Sequence, residues 1–294
     1  RFVGDIFGAP LAIEGLLAFF LESTFLGLWI FGWDRLSPKV HLATIWIAAT
    51  GTLLSAYFIL AANSFMQNPV GFTFNGDKGR AELTDFGAVL SNKVLLATFP
   101  HQIFACFMVA GAFVGGIAMW QIMKHPDRDA DAFRTAFRLG AITLLVAGLG
   151  TIVSGDYQGK IMTEVQPMKM AAAEGLYETS EPAPFSLLTI GTLDGSKEVY
   201  KVEVPRLLSY LATGSFDSEV EGINSLQAQY EQKYGPGDYS PNIPISYWTF
   251  RIMITLGGIA MAAGLWMMWA SRRGRDPAGR WLLRTAIVLP LLPL

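Results

Sequence analysis

The chain has 294 residues, of which 52% are hydrophobic and 16% charged, and its net charge is -2. Soluble domains average about 25% charged residues, so a soluble globular fold is excluded and a polytopic membrane protein is expected. The near-neutral charge singles out no charged partner, and no nucleic acid is expected. Twenty Phe and eight Trp suit helices that meet lipid and its interfaces. Cys106 is the lone cysteine, so no disulfide framework exists, and it reads as a small core residue.

Leu11–Trp33 is the first stretch long enough to cross a bilayer, which takes about 20 mostly apolar residues, and a span is expected over Leu11–Gly32. It carries two carboxylates, Glu14 and Glu22, flanked by Leu, Ala, Phe and Ile. An acidic group at the centre of a membrane helix costs roughly 2.5–3.5 kcal/mol, which implies a use for it. Eight residues of α-helix set the two about 12 Å apart along the axis and roughly 80° apart around it. That spacing points to a protonatable path, or part of a cofactor site, facing a bundle interior. A polar turn at 33–39 leads to a second span over His41–Phe65, ended by MQNP at Met66–Pro69, because the residue before a proline is pushed out of helical geometry. Asn75-Gly76-Asp77 is turn chemistry. A third span is expected over Val94–Gln121, broken at Pro126, and a fourth over Phe133–Ser154.

Gly155–Ile245 is too polar to span and too long for a plain connection, so a functional extramembrane loop is expected there. A fifth span covers Ser246–Ala270, a basic stretch follows at Ser271–Arg280, and Trp281–Leu294 begins a sixth. The division is thus 1–154 for four spans, 155–245 for the loop and 246–294 for the last spans. The opening RFVGDIFG has neither Met nor a signal-peptide pattern, and the end VLPLLPL lies inside a hydrophobic run. The chain is therefore read as a stretch of a longer protein, truncated at both ends.

Lysines and arginines set the orientation. One side's short segments hold Arg35, Lys39, Lys124, Arg128, Arg134, Arg138, Arg272, Arg273, Arg275, Arg280 and Arg284, while the other's hold Arg1, Lys78, Arg80 and Lys93. The first side is expected to be cytoplasmic, and the loop at 155–245 extracytoplasmic.

His101 is the histidine well inside a span, about two turns from the outer end of the third. Met253 lies at a similar depth in the fifth. Such a pair suits the axial ligands of a low-spin haem b, although a satisfied polar histidine and a packing methionine fit the spacing as well. Arg251 suits a haem propionate or an arginine snorkelling to the outer surface. His41 and His125 lie at helix ends and are assigned no role, and Asp156, Lys160 and Glu164 read as wetted. Lys169 and Glu174, five apart on an Ala-rich helical stretch, could serve a quinol headgroup. Their spacing favours a solvated surface pair.

Several motifs together resemble one family, subunit I of cytochrome bd quinol oxidase. They are GDIFGAPLAIEGLLAFFLEST at Gly4–Thr24, FGWDRL at Phe31–Leu36, MQNP, VQPMKMAAAE at Val165–Glu174, FRIM at Phe250–Met253 and WLLR at Trp281–Arg284. They run through the whole chain in consistent order. The resemblance implies an all-α, polytopic transmembrane helix bundle with a long extracytoplasmic quinol-binding loop, here of the short-loop type, in the bacterial cell membrane. It implies that His101 and Met253 are the axial ligands of low-spin haem b, with Arg251 beside that haem. Glu14 matches a carboxylate next to or ligating the oxygen-reactive haem, Glu22 one further along its proton route, and Lys169 and Glu174 the quinol-loop residues.

The implied activity is quinol oxidation near the outer face and reduction of dioxygen to water with cytoplasmic protons, which generates proton motive force without a pump. High-spin haem b and haem d belong to the full-length protein. The family's histidine ligand to a high-spin haem precedes this stretch, and its glutamate ligand and Gly-Arg-Gln-Pro-Trp motif follow it. The implied partners are a second membrane subunit (subunit II), a small single-span subunit, quinol, dioxygen and the lipid bilayer. Against this stand a proton-coupled transporter using Glu14 and Glu22, whose paired broken helices the chain does not display, and a haem-free structural subunit.

Overall fold

The computed structural model describes residues 2–127, 129–192, 197–275 and 278–293. Arg1 and Arg128, two residues of the charge count, lie outside them. Among the described residues, five helices are long and apolar enough to cross a membrane: Gly4–Phe31, Pro38–Gln67, Phe86–Lys124, Ala130–Val165 and Ile243–Ala270. The fold is helical, with two small two-stranded sheets that sequence reading does not anticipate. Two compact units form, Arg1–Pro100 and His101–Leu294.

In the first unit, the leading span is α1 (Gly4–Ile13), a π-helical segment (Glu14–Phe19) and α2 (Phe20–Phe31). It starts before Leu11 because GDIFGAP is itself helical, with Asp5 in the first turn, where a carboxylate meets the positive end of the helix dipole. The helix α3 (Pro38–Gln67) begins with proline at its first turn, where the missing N–H costs nothing. It stops at Asn68, before Pro69. The MQNP amide holds the chain there: Asn68 Nδ2 donates to Asn92 Oδ1 at 3.3 Å, and Asn92 Nδ2 donates to the carbonyls of Ser64 and Asn68 at 3.2 and 2.8 Å.

The polar stretch between is a hairpin, β1 (Phe72–Asn75) against β2 (Arg80–Leu83), with Gly79 at φ +58 in the turn. Ile6, Phe65, Ala81 and Val89 form a small core beneath it. Asp85 caps the short α4 (Phe86–Leu90) by accepting the Ala88 N–H at 3.0 Å. The long α5 (Lys93–Lys124) follows.

In the second unit, α6 (Ala130–Val165) runs past Ser154, so the polar segment begins inside a helix. Nothing in Gly155–Val165 breaks helical geometry until Pro167 opens α7 (Pro167–Glu174). Strands β3 (Phe185–Gly191) and β4 (Glu198–Val204) form an antiparallel pair, followed by α8 (Leu207–Thr213) and α9 (Ile223–Tyr234). The span α10 (Ile243–Ala270) is capped by Asn242, whose Oδ1 accepts the Ile245 N–H, and α11 (Arg280–Val288) comes last.

A core of Met108, Met119, Phe137, Leu144, Met267 and Leu282 joins α5, α6, α10 and α11. Gly111, Gly115 and Gly140 let α5 and α6 meet backbone to backbone, since a Cβ on Gly140 would lie 2.5 Å from the Gly115 nitrogen. Close approach through small residues is how membrane helices associate, because lipid offers them no hydrophobic drive. Cys106 is exposed rather than a core residue, for it lies on a face of α5 turned from that core. Residues such as Val153, Ile152 and Leu149 are also largely exposed. Apolar surface of that extent suits lipid rather than water.

Candidate functional site

The segment after α6 packs around α7. Met168, Ala171 and Ala172 of α7 meet Ile223 and Leu226 of α9, while Met170 meets Leu208 and Ala212 of α8. The alanines of MAAAE are therefore small because the helix is buried on several faces. Gly175 ends it at φ +64, a conformation glycine adopts without strain.

Burial corrects the surface-pair reading of Lys169 and Glu174. Lys169 is exposed, whereas Glu174 is 3% exposed and has a different partner. Its Oε2 accepts a hydrogen bond from Arg251 Nη2 at 2.6 Å. The same Nη2 donates to the Ser186 carbonyl of β3 at 2.8 Å. The guanidinium carbon sits 4.6 Å from the Phe185 ring centre and 4.9 Å from that of Tyr247, in cation–π range. Arg251 is thus buried at the junction of α7, β3 and α10 and does not snorkel. Its Nε and Nη1 are buried and have no hydrogen-bond partner among the described residues. Burial pushes the Glu174 carboxyl above its ordinary range, and the Arg251 charge opposes this without cancelling it.

His101, in α5, faces α6. Its Nδ1 lies 3.2 Å from Ser154 Oγ, which itself donates to the Gly150 carbonyl at 2.7 Å. In the tautomer in which Nδ1–H donates to that hydroxyl, the lone pair falls on Nε2. A metal-ligating histidine is held in this way, its other nitrogen donating to a neighbour. Gly155 lies against the same ring: a Cβ there would be 3.2 Å from Cε1. Met253 is two residues beyond Arg251 on α10 and is 55% exposed, so its thioether is turned away from the packed core.

In the first unit, Glu14 opens the π segment and accepts a hydrogen bond from Ser55 Oγ of α3 at 2.8 Å. Gly51 admits this close passage; a Cβ on it would lie 3.1 Å from the Ala18 carbonyl oxygen. π-Helical turns recur at functional sites. The 80° separation of Glu14 and Glu22 belongs to an unbroken α-helix, and the wider π turn between them alters it. Both carboxylates are partly buried.

Among the described residues, no group of three or more His, Cys, Asp or Glu could hold a bare metal ion. A haem asks the protein only for axial donors and for partners to its propionates. His101 Nε2 and the Nε and Nη1 of Arg251 fit that demand.

A family profile described as cytochrome bd terminal oxidase subunit I matches residues 1–294. The chain belongs to that family. It is 46% identical over 294 residues to the cytochrome bd ubiquinol oxidase subunit 1 of Bacillus subtilis (strain 168), covering 100% of this chain and 62% of the relative. It is 32% identical over 350 residues to the cytochrome bd-II ubiquinol oxidase subunit 1 of Escherichia coli (strain K12), covering 99% and 68%. The bd oxidase structure from Geobacillus thermodenitrificans superposes with a TM-score of 0.86 at 28% identity, over 100% of this chain and 65% of that one. Family and helices together make this an integral membrane protein, and the chain spans 62% of the length of its B. subtilis relative. Ser55, Ser154, Ser186 and Tyr247 escaped sequence reasoning. Tyr247 alone had a signal, four residues before Arg251 and so on the same helix face.

Proposed function

We propose that this chain is the low-spin haem and quinol-oxidising portion of a membrane quinol:dioxygen oxidoreductase. The single observation that carries the reading is the buried Arg251, paired with Glu174 on one nitrogen and, among the described residues, without a hydrogen-bond partner on Nε and Nη1. His101 through Nε2 and Met253 through its sulfur would hold low-spin haem b, and Arg251 would hold a propionate. The haem, when bound, supplies one-electron acceptance from quinol.

The chain's own groups do the rest. Lys169, exposed at the start of α7, hydrogen-bonds the quinol headgroup. Glu174, at the other end of that helix, accepts a quinol proton, which suits a carboxyl whose affinity for protons burial has raised. Glu14, with Ser55 as donor, and Glu22 form a carboxylate path through the first span, feeding cytoplasmic protons toward dioxygen reduction. High-spin haem b and haem d lie in the full-length protein, with subunit II and a small single-span subunit as partners. The division into 1–154, 155–245 and 246–294, with the middle part extracytoplasmic, belongs to the same proposal. Protons released outside and consumed from inside then generate proton motive force without a pump.

The test is a dithionite-reduced minus oxidised spectrum of the full-length protein purified with its partner subunits. Three haem signals are expected, including the far-red band of haem d. His101→Ala or Met253→Leu should remove the low-spin signal alone. A wild-type spectrum from either variant rejects that ligand, and a haem-free spectrum from folded protein rejects the whole reading.

A further inference from the structure

Arg251 is aimed by more than its own helix. Strict alternation along a strand would put Ser186 and Thr189, three residues apart, on opposite faces, yet both are 5% exposed. The cause is a bulge. The β3–β4 register slips between Ser186 and Leu188, Leu187 swings out to 55% exposure, and the extra residue brings Thr189 onto the face of Ser186. Their hydroxyls then meet at 2.5 Å.

Both converge on Tyr247, 3% exposed and one turn before Arg251 on α10. The Tyr247 hydroxyl accepts the Thr189 N–H at 2.6 Å and lies 2.9 Å from Ser186 Oγ. The end of α7 passes over the same ring: a Cβ on Gly175 would lie 3.1 Å from Tyr247 Cδ2. The strand whose Ser186 carbonyl receives Arg251 Nη2 is therefore tied to α10 by a second, independent set of hydrogen bonds.

We propose that Tyr247 is a positioning residue. Its hydroxyl holds the β3 bulge in register, so that the Ser186 carbonyl and the Glu174 carboxylate both take Arg251 Nη2. Nε and Nη1 are thereby turned toward an anionic group, a haem propionate under the function proposed above, on which this inference rests. Without the hydroxyl, Ser186 loses a buried partner and the Thr189 N–H is orphaned. The bulge then relaxes, and the guanidinium loses one of its two fixed contacts.

The experiment is a potentiometric titration of the low-spin haem in the full-length complex, for Tyr247→Phe, Arg251→Lys and the double variant. Tyr247→Phe should keep its haem content and shift the midpoint in the same direction as Arg251→Lys, with turnover about fivefold lower. The double variant should show no more than Arg251→Lys alone, since both act through one guanidinium. A midpoint unchanged in Tyr247→Phe but shifted in Arg251→Lys overturns the role of Tyr247 and leaves the propionate reading of Arg251 intact. Unchanged midpoints in all variants, with haem fully present, reject that reading and this inference with it. If Tyr247→Phe does not assemble, Ser186→Ala removes the hydroxyl's side-chain partner without altering the span and is read in the same way.

Discussion

Glu174 is held between two opposing effects. Its carboxylate lies 2.6 Å from Arg251, which favours the charged form, and it is 3% exposed, which favours the neutral one; burial prevails and raises its pKa. A base with a raised pKa accepts protons nearer the working pH. Turnover should therefore rise with pH as Glu174 ionises, and Glu174→Gln should remove that limb and lower the rate about a hundredfold. A pH–rate profile of quinol oxidation checks both, and an unaltered profile in the variant removes Glu174 from the reaction. The stability linkage has the opposite sense. With the folded pKa above the unfolded one, the contribution is fully present below the unfolded value and is lost as pH rises through the folded value. The residue types at this site were legible in the chain, through VQPMKMAAAE and FRIM, but its pairing was not. Glu174 and Arg251 are 77 positions apart, and a five-residue spacing from Lys169 says nothing about which face of α7 is covered.

Helices close enough for backbone contact are intolerant of a single methyl group. A Cβ on Gly140 would sit 2.5 Å from the Gly115 nitrogen and 2.9 Å from the Gly111 oxygen, whereas one on Gly258 of α10 would meet nothing within 4 Å. Gly140→Ala is expected to destabilise the α5–α6 pair by about 1–3 kcal/mol, the usual cost of overpacking, and Gly258→Ala to change little. Thermal unfolding of the solubilised complex checks this: equal melting temperatures for the two variants would show that the close approach is not required. The five spans were readable because each holds about 20 apolar residues. Their ends and the strands were less so. α6 continues to Val165 because the polar stretch after Ser154 holds no proline before Pro167, β1 and β2 are too short for alternation to stand out, and a bulge breaks the alternation of β3. The π segment at Glu14–Phe19, which passes close to Gly51 of α3, was not legible in the sequence.

At the scale of the molecule, the two ends of the spans differ in what they carry. The segment between α6 and α10 is a folded body with its own cores around α7. The turn between α10 and α11 is basic; Arg272 in it lies over the Trp269 ring at 4.4 Å, and in the first turns of α11 Arg284 lies over Trp281 at 5.1 Å. An arginine stacked on an exposed tryptophan suits the level of lipid headgroups. The proposed orientation sets this arginine-rich turn on the cytoplasmic side, and a single passage through α10 then puts the α7 body outside. Two alanines report on this. Ala228 lies exposed on α9, and Ala278 lies exposed beside the basic turn. In a Cys106→Ala background, Ala228→Cys should react with a membrane-impermeant maleimide added to intact spheroplasts. Ala278→Cys should react only after the membrane is opened. The reverse pattern would put quinol oxidation on the cytoplasmic face. Protons would then be released on the side from which dioxygen reduction draws them, and the proposed charge separation without a pump would fail.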